Sequence, residues 1–317
     1  MNAQNTIAIS ICIPVYKNIS YLKRLLDSIA IQTYTDYEII ITDDTPDDSV
    51  KDFIKEYVSN RPVRYFKNQE ILGTPENWNE SIRHAEGAWI KLMHNDDWFS
   101  REDALQKFYE AAVKHSDCPF FFSAFQNVTD DTEEKKIVRC NILDMLFFKM
   151  SPLHLFKRVY IGNPSCTFIK KDVGLFYDKQ FKFVVDFEYY IRCIRKAGKY
   201  KYIDEVLLNV GFHPDQVTKS TFLVPGVQIP ENLMLLDKLG LKILKNPFVY
   251  DYYWRMIRNL KIRSIADIEK YYSNKIRSLI RRMIGFQSKI SYSLLQIGIF
   301  SKFFMSISYL ISLFQKH

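Results

Sequence analysis

Residues 7–44 read IAISICIPVYKNISYLKRLLDSIAIQTYTDYEIIITDD, and the fold follows from them. Ile7, Ile9, Ile11 and Ile13 fall on one side of an extended chain, with the small Ala8, Ser10 and Cys12 on the other. That is the pattern of a buried strand. Ile19, Leu22, Leu25, Leu26 and Ile29 then recur at helical spacing, and Glu38-Ile39-Ile40-Ile41 is a second strand that ends in Thr42-Asp43-Asp44.

The same alternation continues outward. A helix is expected around 48–58 and a short strand at 63–66. Thr74-Pro75 has the form of a helix start, a cap followed by proline at the first helical position, for a helix running to about 85. A strand at 88–93 follows, then a helix opened by Ser100 with Asp103 in the capping-box position, then a strand at 119–125. Strands and helices in strict alternation predict an α/β chain with a doubly wound, mostly parallel sheet. In such sheets ligands bind beyond the carboxyl ends of the strands, which is where Asp43-Asp44 and Asn95-Asp96-Asp97 fall. Past Gln126 the pattern loosens. A polar stretch at 129–136 leads to a helix start at Ser151-Pro152, a strand at 165–170, and a helix from 186 to about 197 stopped by Gly198. The chain from about 224 onward reads as helical, and 225–230 is the expected joint between regions.

The composition is that of an ordinary globular protein, 47% apolar and 25% charged. Five scattered cysteines without a C-x-x-C pair argue against a zinc site or a disulfide framework. The first residues carry no basic segment and no small-residue cleavage site, so a cytoplasmic protein is expected. The net charge of +8 is unevenly spread. Residues 231–317 hold fifteen Lys/Arg against five Asp/Glu, while the preceding 230 residues hold 29 against 31. An excess confined to one region points to an anionic partner surface.

Three acidic positions suit chemistry. Asp43-Asp44 fit either a ligand site or the capping of the next helix. Asp96 and Asp97 lie several residues too early to cap the helix expected at Ser100, and oxygen ligands at a strand end suit a divalent cation. Asp186, at a helix start, is favoured there by the helix dipole whatever else it does.

The order of these pieces resembles that of family 2 glycosyltransferases, inverting enzymes of the GT-A fold. The stretches that carry the resemblance are 10–17 (Ser-Ile-Cys-Ile-Pro-Val-Tyr-Lys), 38–44, 68–73 with Asn77, Ala85-Glu86-Gly87, 94–98, 185–192 and 212–216. The resemblance implies a GT-A-like catalytic domain over 1–224, its nucleotide-binding half at about 7–125 and its acceptor half at about 126–224. It implies that Pro14, Val15 and Tyr16 form the floor under the nucleotide. Asp44, with Asp43 beside it, would meet the base, and Asn95 would line the same nucleotide-sugar site. Asp96 would hold a divalent cation, Mn²⁺ or Mg²⁺, bridging the diphosphate, with Asp97 adjacent and His213 as a further contact. Asp186 would be the general base. An inverting transfer is a direct displacement, so one carboxylate deprotonates the attacking hydroxyl and no covalent intermediate is needed. Two positions depart from the family pattern: His94 stands at the first acid of Asp-x-Asp, which bears on how strict the metal dependence is, and Val185 stands before the base. The Gln-x-x-Arg-Trp motif of processive synthases is absent, which favours transfer of one sugar. The donor is then a nucleotide sugar, UDP-linked by family habit, and the acceptor a saccharide or lipid-linked saccharide. A non-catalytic sugar-nucleotide-binding or scaffold protein of the same fold is the alternative that His94 raises.

Residues 225–317 are expected to form a basic helical region that docks on an anionic membrane surface. In 290–314, Ile299, Phe300, Phe303, Ile307, Leu310 and Phe314 share one helical face, with Ser301, Ser308 and Ser312 opposite. This is the pattern of an interfacial helix, not a span. The rival is a helical subdomain with a solvated basic face. Nucleic acid is not an expected partner, since no recognisable motif accompanies the charge. The whole places the chain in the cytoplasm, peripheral on the inner face of the membrane.

Overall fold

The computed structural model describes residues 7–57, 61–129, 134–213 and 221–314. Two compact units emerge, one from residues 1–142, 160–181 and 185–214, the other from 143–159, 182–184 and 215–317.

The first unit is an α/β domain built on one twisted sheet. Its strands are β1 (Ile9–Val15), β2 (Tyr37–Asp43), β3 (Val63–Lys67), β4 (Trp89–Leu92), β5 (Trp98–Phe99), β6 (Phe120–Thr129), β7 (Lys135–Val138), β8 (Thr167–Lys170) and β9 (Lys201–Phe212). They lie in the order β3-β2-β1-β4-β8-β6-β9-β5, with β7 paired to β6. β1, β2, β3 and β4 run parallel, β8 runs against both of its neighbours, and β6 and β9 are parallel. The doubly wound, mostly parallel sheet read from the alternation is therefore present.

Every residue of β1 and β2 is buried, so the apolar alternation has partners on both faces. Ile9, Ile11 and Ile13 face helix α1 (Ile19–Ala30), whose Leu22, Leu25, Leu26 and Ile29 are at most 1% exposed. Each such side chain contributes about 1.5–3 kcal/mol by leaving water. The opposite side of β1 meets α3 (Glu76–Arg83), where the Cys12 thiol donates to the Ser81 carbonyl at 3.5 Å. Gly87 packs against β1 so closely that a Cβ there would stand 2.6 Å from the Ser10 nitrogen, which explains glycine at that point. Remaining helices of this unit are α2 (Ser49–Glu56), α4 (Ala104–Lys114) and α6 (Val185–Ala197), the last preceding Gly198 as expected.

Several boundaries differ from expectation. The helix expected at Ser100 begins at Ala104, because Ser100 Oγ donates instead to the Val206 carbonyl at 2.7 Å and joins the β5–β9 edge. Pro75, not Thr74, precedes α3, and no side chain caps it. Ser151 does cap the turn that follows it, a short 3₁₀ helix over Pro152–Phe156. The expected joint at 225–230 is no linker, since it lies inside helix α7 (Pro225–Leu239), with Pro230 within the helix. All five cysteines are free thiols.

The second unit is helical. It holds α5 (Ile142–Met150, from Leu143 onward), α7, α8 (Pro247–Asn259), α9 (Ile265–Glu269), α10 (Ser278–Ser288), α11 (Tyr292–Gln296) and α12 (Gly298–Phe314). Its core centres on Tyr250, Tyr253, Trp254 and Ile257 of α8, each at most 1% exposed. Among the described residues no helix is long and apolar enough to cross a membrane.

Candidate active site

The loops that leave β1, β2 and β4 converge on Lys17. Its amide donates to Thr45 Oγ1 at 2.7 Å, and its carbonyl accepts from Asn95 Nδ2 at 3.4 Å. Lys17 and Asn18 both hold left-handed backbone, φ 60 and 53, a local strain that tends to gather at functional loops. Just before them, Pro14 and Val15 are buried and Tyr16 is 48% exposed, so an aromatic ring stands open at the end of β1.

Neither Asp43 nor Asp44 caps α2, which answers one open reading. Asp43 accepts from the Thr45 amide (2.7 Å) and the Tyr65 hydroxyl (2.7 Å), and pairs with Lys67 at 3.1 Å. Asp44 accepts from Asn68 Nδ2 (2.7 Å) and from the amides of Leu72 (3.1 Å) and Gly73 (2.7 Å). Asn77 completes the lattice, with Nδ2 on the Val15 carbonyl and Oδ1 receiving Asn68. Charge-assisted bonds of this kind are the stronger ones. Asp44 thus holds the loop of residues 68–73 against the end of β2, and Asp43 ties the ends of β2 and β3.

Beyond β4 the two neighbouring acids lead different lives. Asp97 is fully buried and its oxygens are taken: Oδ2 accepts from Asn163 Nδ2 (2.7 Å) and Ser165 Oγ (2.5 Å), and Oδ1 from the Gly211 amide (3.1 Å). Burial, and then the charge of Asp96, push its carboxyl up to about 8. Asp96 remains partly open and meets His213 Nε2 at 3.0 Å. Burial alone would raise Asp96, but the His213 bond and the adjacent imidazoles outweigh it and hold the carboxyl below its ordinary value. His94, Asp96 and Asp97 offer ligand atoms within 4.8 Å of one another, and Nε2 of His94 is buried with no hydrogen-bond partner among the described residues. Pro214, Asp215 and Gln216 of the downstream motif lie outside the described residues.

Asp186 opens α6, and its Oδ1 is enclosed without a hydrogen-bond partner among the described residues. Burial pushes its carboxyl up to about 7. The Cys166 thiol feels the charges of both Asp97 and Asp186, which puts the helix start and the acidic loop in one electrostatic neighbourhood. The structure thus gathers Tyr16, Asn95, Asp96 and His213 at the strand ends, while Asp43, Asp44 and Asp97 serve to hold the loops that frame them.

The profile of glycosyl transferase family 2 matches residues 10–174, slightly more than half of the chain. The chain belongs to that family. A glycosyltransferase of Methanocaldococcus jannaschii is 28% identical over 191 residues, covering 59% of this chain and 64% of the relative. The glycosyltransferase GlyA of Streptococcus pneumoniae is 28% identical over 207 residues, 52% of this chain and 30% of GlyA. This glycosyltransferase-family chain therefore spans less than two thirds of either relative. TarS of S. aureus, solved with UDP-GlcNAc, superposes with a TM-score of 0.58 at 14% identity, covering 87% of both chains, a likeness of fold.

Some residues of this family 2 site escaped the reading of the sequence. Asn163 and Ser165 are remote from Asp97 in the chain and carry no motif. Lys91 lies in β4 fully buried, its amine donating to the Ser165 and Thr167 carbonyls, and burial lowers it to about 7. A lone lysine in an apolar strand was the available signal. Arg24 Nη2 donates to the Asp96 carbonyl at 3.0 Å while its guanidinium lies 3.7 Å over Trp98. Gly211 passes so near that a Cβ would stand 2.4 Å from the same carbonyl. Gly211→Ala is therefore expected to cost about 1–3 kcal/mol, as overpacking does, and to lower the melting temperature. A thermal scan matching wild type would show that the acidic loop is not held this tightly.

Proposed function

We propose that this chain transfers a single sugar, with inversion, from a nucleotide sugar to a saccharide or lipid-linked saccharide acceptor in surface polysaccharide assembly. The observation that carries the reading is Asp186, a half-buried carboxylate whose enclosed Oδ1 has no hydrogen-bond partner among the described residues and whose proton affinity is raised toward neutrality. Such a group is a far better base at pH 7 than a solvated aspartate. On this reading it takes the proton from the acceptor hydroxyl as that oxygen attacks the anomeric carbon, and the nucleoside diphosphate departs.

The donor site is assigned to Pro14, Val15 and Tyr16 as a floor, with Asn95 and Asp96 toward the diphosphate and Asp43 and Asp44 shaping the rim near the base. TarS, which shares the fold, has been solved with UDP-GlcNAc and with UDP, and this supports a uridine nucleotide and an N-acetylhexosamine or hexose donor. A divalent cation fits the residues present: the open carboxylate of Asp96 and an imidazole nitrogen of His94 belong to one cluster of oxygen and nitrogen ligand atoms within 4.8 Å of one another, and His213 stands beside Asp96 as a further contact. That mixture suits Mn²⁺ better than Mg²⁺, which favours oxygen alone. Asp97, already bonded through both oxygens, would support the set by holding its loop. A bound cation would neutralise charge developing on the diphosphate. The same proposal has a GT-A-like domain over 1–224, and residues 225–317 docked on the inner, anionic face of a membrane, where a lipid-linked acceptor would lie.

A screen of nucleotide sugars, with and without Mn²⁺ and with a membrane extract as acceptor, tests the reading. One donor is expected to raise the melting temperature and to release its nucleoside diphosphate only when acceptor is present. A donor that shifts melting without any release would favour the non-catalytic binding protein instead.

A further inference from the structure

Two helices of the second unit are turned inside out. In α12 the serines face inward: Ser301 accepts from Trp254 Nε1 at 3.1 Å and from Arg258 at 3.0 Å, and Ser308 pairs with the Tyr250 hydroxyl at 2.7 Å. Ser301, Ser308 and Ser312 are at most 8% exposed, while Phe303 is 59% and Phe314 88% exposed on the other side. In α5 the acid faces inward: Asp144 is buried, paired with Lys157 at 3.2 Å, with His154 3.6 Å away. Its outer face carries Leu143, Leu146 and Met150, 61%, 54% and 76% exposed. Polar partners thus set the orientation of both helices, and each leaves an apolar stripe at helical spacing in water.

Both helices meet the start of α8 in the second unit. The Phe147 ring of α5 meets Phe248 at the start of α8, 5.7 Å apart and edge-on. Tyr309 of α12 donates to the Lys245 carbonyl just before that helix and lies 5.2 Å from the Tyr250 ring. Exposed lysines accompany the stripes: Lys149 on α5, Lys242 and Lys245 before α8, and Lys302 on α12.

We infer that α5 and α12 together form one membrane-insertion platform for an anionic lipid surface, with the start of α8 between them. This rests on the proposed membrane acceptor and deepens it, since α5 lies far outside the basic C-terminal region. The occupant follows from charge. Residues 231–317 carry a balance of +10, so a twofold contact between copies would set lysines against lysines. An anionic bilayer answers both the lysines and the apolar stripes.

The test is co-sedimentation of the full chain with phosphatidylcholine vesicles, with or without phosphatidylglycerol. The variants are Leu146→Ser/Met150→Ser, Phe303→Ser/Leu310→Ser and all four together. Each pair is expected to lower partitioning onto anionic vesicles roughly tenfold and the four together roughly a hundredfold, as two parts of one surface add. High salt should weaken the wild type, and neutral vesicles should bind little. Single Leu146→Trp and Phe303→Trp chains should each show blue-shifted emission and quenching by brominated lipid, a readout that does not depend on the serine variants folding. Loss confined to the α12 variant, with the Leu146→Trp chain unquenched, would overturn the two-helix platform. Unchanged vesicle binding alongside a wild-type dimer that the variants dissociate would make the face a contact between copies. Donor-induced melting shifts are measured on the same chains. Their absence with vesicle binding intact would count against the transfer reading and leave the platform standing.

Discussion

Asp186→Asn is expected to lower turnover by roughly a thousandfold or more, the upper part of what a positioned base supplies, while making the protein more stable at pH 8. The two effects share one cause. Burial holds the carboxyl at about 7, against about 4 for an aspartate in water, so the folded state binds more protons than the unfolded chain between those values. Stability therefore falls as pH rises from about 4 to about 7, and the cost is fully present above that. A rise of that size corresponds to at most roughly 4 kcal/mol, and the neutral amide removes it. Donor affinity should change little, because the proposed role of the residue is toward the acceptor hydroxyl and not the nucleotide. Melting curves of wild type and variant should nearly coincide at pH 4 and separate by pH 8, with wild-type turnover rising through about 7. A variant that keeps most of its turnover would remove Asp186 from the chemistry, and melting curves that stay together at pH 8 would contradict its enclosure.

Asp96→Ala is expected to act on the other half of the reaction. It takes away the open carboxylate of the acidic loop and leaves His213 without the acceptor it meets at 3.0 Å. Losing one ligand or its support typically costs ~10–100-fold in metal affinity. Binding of the nucleoside diphosphate in the presence of Mn²⁺ should weaken by a similar factor, and EDTA should then make little further difference. Calorimetric titration of wild type, Asp96→Ala and Asp186→Asn separates the roles, since only the first variant should lose donor affinity. Equal affinity in wild type with Mn²⁺ and with EDTA would remove the cation from the mechanism and leave His94 as a residue of another purpose.

What was legible in the sequence was whatever depends on neighbours in the chain. The isoleucines of β1 and β2 and the leucines of α1 announced two buried strands and the helix between them, and the acids fell at strand ends as expected. Strand β9 escaped because Asp204, Glu205 and Asn209 interrupt its alternation, and its register against β6 shifts on both sides of Ala124. Helix α5 escaped because it is apolar nearly all round and its one acid, Asp144, turns inward, so the usual pattern of an apolar inner face and a polar outer face does not mark it.

The same limit governs the site. Asp96 and Asp97 read as twins, yet one lies open beside His213 and the other is buried by Asn163, Ser165 and Gly211. Nothing local distinguishes them, since the partners of Asp97 are brought by strands and turns far along the chain. The two faces of α12 were visible as a pattern. Which face turns inward was decided by Trp254, Arg258 and Tyr250, and only the folded unit brings those to the helix.

At the centre of the proposed mechanism is a single displacement by an acceptor hydroxyl that Asp186 deprotonates. The measurement that bears on it most directly is the anomeric configuration of the transferred sugar. With an α-linked nucleotide sugar as donor, the proton coupling at the anomeric carbon of the isolated product should report a β linkage. An α linkage would mean that configuration is retained and would contradict the displacement outright.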